Sequence, residues 1–179
     1  VLIAGVDTST GTLGWLLYHL CLYPELQEKI REEAIGVLED DAFINNYKQT
    51  SQLPYIDALC YESMRLKTVA PMLLHQANHD ITIKDHIFKK GEIVLIQSGY
   101  ACKHMDNFIN PDKFDIDRWI GKSTYKCEEG HNVDGYIPFG SGPRFCPGKN
   151  FAQLELRMVL SMLAKNFNVE MTSNIAEVT

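Results

Sequence analysis

The chain has 179 residues, of which 45% are hydrophobic and 22% charged, a composition typical of one globular domain or a large piece of one. Its 23 acidic and 17 basic residues give a net charge of −6, which argues against nucleic acid as a partner. The longest apolar stretch, 13–23, is too short to span a bilayer, and the start at Val1 does not resemble a secretion signal. Five widely spaced cysteines favour a reducing compartment over a disulfide scaffold.

Apolar periodicity predicts a mostly helical chain without internal repeats or a domain boundary. The predicted helices cover residues 2–22, 24–38, about 54–66 and about 149–166. The first is apolar all round, which is typical of a buried helix. Pro24 and Pro54 suit the first position of a helix, because proline lacks the N–H that would stay unpaired there.

Residues 69–97 have the pattern of a small β-sheet. Residues 81–83 alternate like a half-buried strand, and 85–86 resemble a turn. Residues 93–96 form a run apolar enough to be buried on both faces. Residues 101–147 have little periodicity, and such long irregular segments are usually functional or disordered. The sequence therefore predicts a mainly α fold with a small β-sheet.

The most informative segment is 139–148, in which three glycines surround Cys146. This pattern implies a backbone that passes close to something flat or bulky. Pro147 suits the first position of the next helix, which would place Cys146 at a helix N-terminus that favours the thiolate. Arg144 adds a fixed cation. A thiolate beside a guanidinium suits a nucleophile or a metal ligand whose cofactor carries carboxylates, whereas a lone cysteine is more often a small buried hydrophobe.

The full spacing of this segment, F-x-x-G-x-R-x-C-x-G, resembles the heme-binding signature of the cytochrome P450 superfamily, and every fixed position is filled. The resemblance implies that heme b (iron protoporphyrin IX) is the cofactor, that Cys146 is the metal ligand and that Arg144 pairs with a heme propionate. It also implies further cofactor-binding residues within and outside the loop, namely Phe139, Gly140, Gly148 and His75.

An E-x-x-R pair in the third helix supports the same resemblance. Glu62 and Arg65 share one helical face, and the family pairs them with a later arginine, here Arg118. Where the family usually has Pro-Glu-Arg-Phe, this chain has Ile-Asp-Arg-Trp at 116–119. The resemblance implies a structural triad, whereas the two residues alone would indicate only a surface ion pair worth ~0–1 kcal/mol.

Residues 4–9, Ala-Gly-Val-Asp-Thr-Ser, resemble the oxygen-activation motif of the family. The resemblance implies a distorted helical turn that makes space for dioxygen, with Thr8 holding protons or water and Asp7 feeding protons inward. In the alternative interpretation, the Thr8 hydroxyl bonds back to the Ala4 carbonyl and Asp7 caps a helix.

The resemblance also implies a pocket for a hydrophobic small-molecule substrate. Its lining would include Ala4, Gly5, Val69 and Met72, although such residues ordinarily pack in a core. The substrate itself is not specified by the sequence.

Members of this family are considerably longer than this chain, so we expect residues 1–179 to be a single incomplete domain from the C-terminal part of the fold. Its predicted parts are helices I, J and K in 1–67, the small sheet in 69–97, the meander and cysteine loop in 101–147 and helix L in 148–167. The expected location is intracellular, cytoplasmic or membrane-associated depending on the missing N-terminus, and membrane association is left open.

The implied function is a heme-dependent monooxygenase that uses dioxygen and takes electrons, originally from NAD(P)H, through a ferredoxin or a flavoprotein reductase. The isolated fragment is expected to be inactive and poorly folded. One alternative is a peroxide-using or isomerising heme-thiolate enzyme, against which Asp7 and Thr8 argue. Another is a zinc-stabilised module without enzymatic activity, with unusually spaced ligands at Cys102, His104, Cys127 and His131.

Overall fold

The computed structural model of this protein describes residues 2–120 and 133–172. Within these ranges the helices are α1 (Leu2–Leu22), α2 (Pro24–Leu38), α3 (Pro54–Leu66), α4 (Ser98–Ala101) and α5 (Lys149–Asn166). The strands are β1 (Leu73–Gln76), β2 (Ile81–Ile83), β3 (His86–Phe88) and β4 (Ile93–Ile96). Short 3-10 helices lie at Tyr47–Gln52, Ile116–Arg118, Val133–Gly135 and Gly142–Arg144. The mainly α fold with a small amount of antiparallel sheet is confirmed.

The four long helices begin and end where the sequence predicts them. Pro24 opens α2 and Pro54 opens α3, each within the first helical positions. Neither helix has a capping side chain of its own. For α3 the missing cap is supplied by α2, because the Glu33 carboxylate accepts hydrogen bonds from the backbone N–H groups of Tyr55 at 2.7 Å and Ile56 at 3.0 Å.

The core lies where α2, α3, α5 and the second half of α1 pack against one another. Each helix contributes apolar residues at helical spacing to this core, as in the α2 series Ile30, Ala34 and Leu38, all fully buried. Cys60 and Cys102 are also buried in the core, the second of them completely. Within the described ranges, no helix is both long and apolar enough to cross a membrane.

The first half of α1 corrects the prediction that the whole helix is buried. Ile3 is 85% exposed and Val6 63% exposed, whereas Leu16 and Leu20 are buried. The first turns of α1 are apolar, as the sequence shows, but no element among the described residues covers them. Burial of this helix begins only where α3 and α5 reach it.

The strands form two separate two-stranded antiparallel sheets within the described ranges, not one sheet. β1 pairs with β4, and β2 pairs with β3. His86 opens β3, so the predicted turn lies earlier, at Lys84, which adopts a positive φ of 52°. The predicted burial of β4 on both faces is wrong, because a two-stranded sheet leaves Ile93 72% exposed and Leu95 48% exposed.

Candidate functional site

The cysteine loop is a closed turn in front of α5. The backbone N–H of Cys146 donates to the Phe139 carbonyl at 2.8 Å, which ties the two ends of the loop together. Between them, Gly140 and Gly142 adopt φ angles of +69° and +67°. These angles lie in the left-handed region that residues with a side chain rarely occupy, so both glycines are needed for this loop path.

The helix begins at the predicted residue, but Pro147 does not occupy its first position. α5 begins at Lys149 with Gly148 as its N-cap, so Pro147 lies before the helix and not at its first position. The Lys149 N–H donates to the Cys146 carbonyl at 3.3 Å, which still joins the loop directly to the helix. A Cβ at position 148 would stand 3.8 Å from the Cys146 Sγ, so glycine leaves this side of the sulfur uncrowded.

His75 and Arg144 line the same cleft, which has a volume of about 500 Å³. His75 comes from β1 and Arg144 from the cysteine loop, and the apolar side chains of Phe88 and Val94 line the cleft between them. Neither His75 nor Arg144 has an ion-pair partner among the described residues, and both are exposed. The structure thus brings together the two residues assigned to heme propionates, with Phe139 half-buried against the core nearby.

These residues fit a heme. The Cys146 thiol is partly exposed and has no hydrogen-bond partner in the described part of the chain, so a soft sulfur donor is available to iron. Arg144 and His75 offer nitrogen donors for carboxylates. Two apolar side chains lie at the same loop, Phe145 at 54% exposure and the half-buried Leu73, whose Cδ1 is 3.6 Å from the position that a Cβ on Gly140 would occupy. They suit the flat apolar ring between these polar ends.

The segment that resembles the oxygen-activation motif, 4–9, lies in the exposed first half of α1, and the helix runs through it without interruption. The expected distorted turn is therefore absent, and Asp7 lies inside the helix, where it caps nothing. The Thr8 hydroxyl donates to the Ala4 carbonyl at 2.7 Å, the bond that the alternative interpretation predicts. Ala4, Gly5, Asp7 and Thr8 are all exposed in this arrangement.

The two other residues assigned to the substrate pocket lie apart from the cysteine loop cleft. Val69 lies against α1, with its Cγ1 3.2 Å from the position that a Cβ on Gly11 would occupy. Met72 lines a second cleft of about 410 Å³ together with Trp15 and Tyr100. The structure therefore places Val69 beside the candidate oxygen-activation helix, and Met72 on a different surface from His75.

Glu62, Arg65 and Arg118 meet in a buried charge network. Arg65 donates to Glu62 through Nε at 2.9 Å and Nη2 at 2.8 Å, and both side chains are fully buried. Arg118 Nε donates to the same carboxylate at 3.3 Å. The remaining guanidinium N–H groups donate to backbone carbonyls of the segment after α4, at Cys102, Ile109, Asn110, Pro111 and Lys113.

Trp119 is a member of this network that the sequence did not single out. Its indole N–H donates to Glu62 Oε2 at 2.8 Å, and the Asp115 backbone N–H donates to Oε1 at 2.9 Å. The departure from the usual family pattern was the available signal, because tryptophan at 119 adds an N–H donor that phenylalanine lacks. Glu62 therefore accepts five hydrogen bonds in a site without solvent.

The described residues do not bring the proposed zinc ligands together. Cys102 is completely buried, and burial raises the pKa of its thiol. Cys127 and His131, the other half of the proposed ligand set, lie outside the described residues. In the described ranges no three His, Cys, Asp or Glu side chains cluster as metal ligands would.

Comparison with known proteins decides the family. The family model described as Cytochrome P450 matches residues 1–177. This chain belongs to the cytochrome P450 family. It is 34% identical over 167 residues to a probable cytochrome P450 6a21 of Drosophila melanogaster, which covers 92% of this chain. It is 30% identical over 177 residues to the mitochondrial sterol 26-hydroxylase of Homo sapiens and 33% identical over 180 residues to the cytochrome P450 27C1 of Danio rerio, each covering 99% of this chain.

The chain spans only part of these cytochrome P450 relatives. The alignments cover 32% of the Drosophila protein, 33% of the human protein and 32% of the Danio protein. The described helices and sheets are thus those of a piece of the cytochrome P450 fold. The cysteine loop, the buried Glu62 network and α1 are three parts of the fold that this piece contains.

Proposed function

We propose that this chain is the C-terminal part of a heme-thiolate monooxygenase, which inserts one atom of dioxygen into a hydrophobic substrate. The observation that carries the proposal is the cysteine loop of a cytochrome P450 family member, closed by the 2.8 Å bond between Cys146 and Phe139, with the thiol left partly exposed. Hydroxylases among the relatives support this reaction class. Residues 1–179 would form a single incomplete domain.

In this proposal the cysteine loop and β1 hold the heme. Cys146 would bind the iron as a thiolate, and Arg144 and His75 would donate hydrogen bonds to the propionates from the cleft that they share. Gly140 and Gly148 let the backbone approach, and Phe139 anchors the loop to the core. When bound, the heme supplies the iron at which dioxygen is reduced, and a thiolate ligand favours O–O cleavage.

Asp7 and Thr8 deliver protons in this proposal. The Asp7 carboxylate is exposed on α1 and can take a proton from solvent. The Thr8 hydroxyl donates its hydrogen bond to the Ala4 carbonyl, which leaves the lone pairs of the hydroxyl oxygen free to accept a hydrogen bond from water. Thr8 thus holds a water in a fixed orientation beside the site, with Asp7 as the proton source.

Glu62, Arg65 and Arg118 have a structural role in this proposal. Their charges are fully or almost fully buried, and their bonds tie α3 to the backbone of 102–113. No step of the reaction uses them, since buried charges without solvent contact cannot exchange protons with the site.

The partners follow from the same proposal. The substrate is a hydrophobic small molecule, and electrons pass from NAD(P)H through a ferredoxin or a flavoprotein reductase. Ala4, Gly5, Val69 and Met72 belong to the substrate side. The isolated fragment is inactive, because the exposed first half of α1 has no opposite wall in the described ranges to enclose a substrate.

Turnover of the full-length protein tests the proposal. With a reductase, NAD(P)H and dioxygen, the protein should oxidise a hydrophobic substrate, and Thr8→Val should lower product formation by about a hundredfold because a proton-transfer group is lost. Thr10→Val, on the exposed surface of the same helix, is the matched control. Equal product formation by the wild type and the Thr8 variant with reductase, NAD(P)H and dioxygen would contradict the proposed proton delivery. Product from peroxide alone, with none from reductase, NAD(P)H and dioxygen, would favour the peroxide-using alternative.

A further inference from the structure

α5 connects directly to the cysteine loop, so its position sets the position of the loop. Only Pro147 and Gly148 separate Cys146 from the helix. Leu156, Leu160 and Ala164 bury one face of the helix, but apolar contacts of this kind tolerate small shifts along a helix axis. Hydrogen bonds and ion pairs depend on direction, so such contacts in the half of α5 nearer the loop would fix the position of the helix more tightly.

Two polar side chains in the first half of α5 reach neighbouring helices. Glu155 Oε2 accepts a hydrogen bond from the Ser9 hydroxyl of α1 at 3.3 Å. Arg157 donates to the Asp57 carboxylate of α3 through Nε at 2.6 Å and Nη2 at 3.0 Å. Residues two positions apart on a helix point in nearly opposite directions, so the two contacts hold α5 from two sides.

The partner of Glu155 lies next to the candidate proton-delivery pair. Ser9 follows Asp7 and Thr8 directly in α1, whereas Glu155 lies on the helix that the cysteine loop opens. The Ser9–Glu155 bond is therefore a side-chain link between the two halves of the candidate site. The Asp57–Arg157 ion pair is half-buried, and its two parallel bonds give α5 a fixed rotation against α3.

We propose that Glu155 and Arg157 are positioning residues that set where the Cys146 thiolate lies relative to the Thr8 segment of α1. This inference rests on the proposed heme-thiolate function. Ser9 and Asp57 act as the fixed points on α1 and α3. Loss of either contact allows α5 to shift, and the shift moves the cysteine loop with it.

The test uses the full-length heme-bound protein with Ser9→Ala, Glu155→Ala, Arg157→Gln and the double variant Ser9→Ala/Glu155→Ala. The readouts are the reduced carbon monoxide spectrum, which separates thiolate ligation from a protonated or displaced thiol, and the rate of heme transfer to apomyoglobin. Thr10→Ala on α1 and Asn150→Ala on α5 are controls, since both residues are exposed and their side chains make no hydrogen bond among the described residues.

We expect heme loss to accelerate about fivefold for Ser9→Ala, as for the loss of one hydrogen bond, and more for Arg157→Gln, which leaves Asp57 half-buried without its partner. In both variants part of the spectrum should shift away from the thiolate form. The double variant should lose heme no faster than Ser9→Ala does, because the two residues share one contact.

The outcomes separate this inference from the proposed function. A wild-type protein without a thiolate-type spectrum would overturn the function itself. A thiolate-type wild type whose variants only melt earlier, with unchanged spectra and heme-loss rates at a temperature where all are folded, would overturn the positioning role. Additive effects of Ser9→Ala and Glu155→Ala would overturn the contact between them.

Discussion

Glu33 is a half-buried acid that caps the neighbouring helix α3 from α2. Burial raises the pKa of its carboxyl group to about 7, although the N–H groups of Tyr55 and Ile56 favour the charged form, and the nearby Asp57 carboxylate raises the pKa further. The folded protein therefore binds a proton at Glu33 in a pH range where the unfolded chain has already released it.

Stability should consequently fall as pH rises from about 4.5 to about 7, because the folded-state pKa of Glu33 is the raised one. Glu33→Gln keeps an oxygen acceptor for α3 and removes the titration. We expect the free energy of urea unfolding to depend less on pH in this variant over that window. Glu32→Gln, on the exposed side of α2, is the control and should follow the wild type.

A result in which Glu33→Gln and Glu32→Gln change the pH dependence equally would contradict this assignment. It would mean that net charge, and not the buried cap, sets the effect. The same residue shows a limit of sequence reasoning. The polar segment before α3 was visible, but a cap donated across 22 residues by another helix has no local pattern.

At the scale of elements, the Glu62 network joins α3 to the irregular segment that follows α4. The carboxylate accepts two bonds from Arg65, one from Arg118, one from Trp119 and one backbone N–H. Because the carboxylate is fully buried, the folded state pays a large desolvation cost unless all of these donors stay in place. α3 and the segment should therefore unfold together.

Arg65→Met should destabilise the full-length protein by about 3–5 kcal/mol, since it leaves the Glu62 charge buried without its main partner. Trp119→Phe removes a single donor and keeps the ring packing, so it should cost about 1–2 kcal/mol. Urea unfolding followed by tyrosine fluorescence and circular dichroism measures both. An equal loss in the free energy of unfolding for the two variants would show that the Arg65 guanidinium is not the dominant partner of Glu62.

The helices were predictable because local chemistry marks their ends. Pro24 and Pro54 mark the starts of α2 and α3, and the helical period of apolar residues marks the extent of the long helices. The exposure of Ile93 and the uncovered first half of α1 were not predictable, since burial depends on what packs against an apolar surface and not on the surface itself. The E-x-x-R pair could be placed only through the resemblance, because its partner Arg118 lies 53 residues from Arg65.

At the scale of the whole molecule, the described residues expose many large apolar side chains on several elements of the fold. They are spread over α1, the β1–β4 sheet, the cysteine loop and the start of α5, and include Ile3, Val6, Met72, Leu74, Ile93, Phe145 and Phe151. The chain also spans only 32% to 33% of the relatives reported above. These surfaces suit contact with further parts of a larger protein.

The isolated 179-residue chain should therefore bind the dye ANS strongly and aggregate at micromolar concentration, because its apolar surfaces lack partners. The full-length protein is the reference and should bind little dye. A cooperative thermal transition of the isolated chain with stoichiometric bound heme would contradict this expectation, since it would show that the piece forms a complete heme site alone.

The central claim is that the Cys146 sulfur binds the heme iron. Iron X-ray absorption of the full-length protein measures this bond directly, because sulfur and nitrogen scatter differently in the first shell. We expect one sulfur neighbour in the wild type and in Cys21→Ser, and none in Cys146→Ser. A wild-type iron surrounded only by nitrogen and oxygen, or a sulfur neighbour that persists in Cys146→Ser, would contradict it.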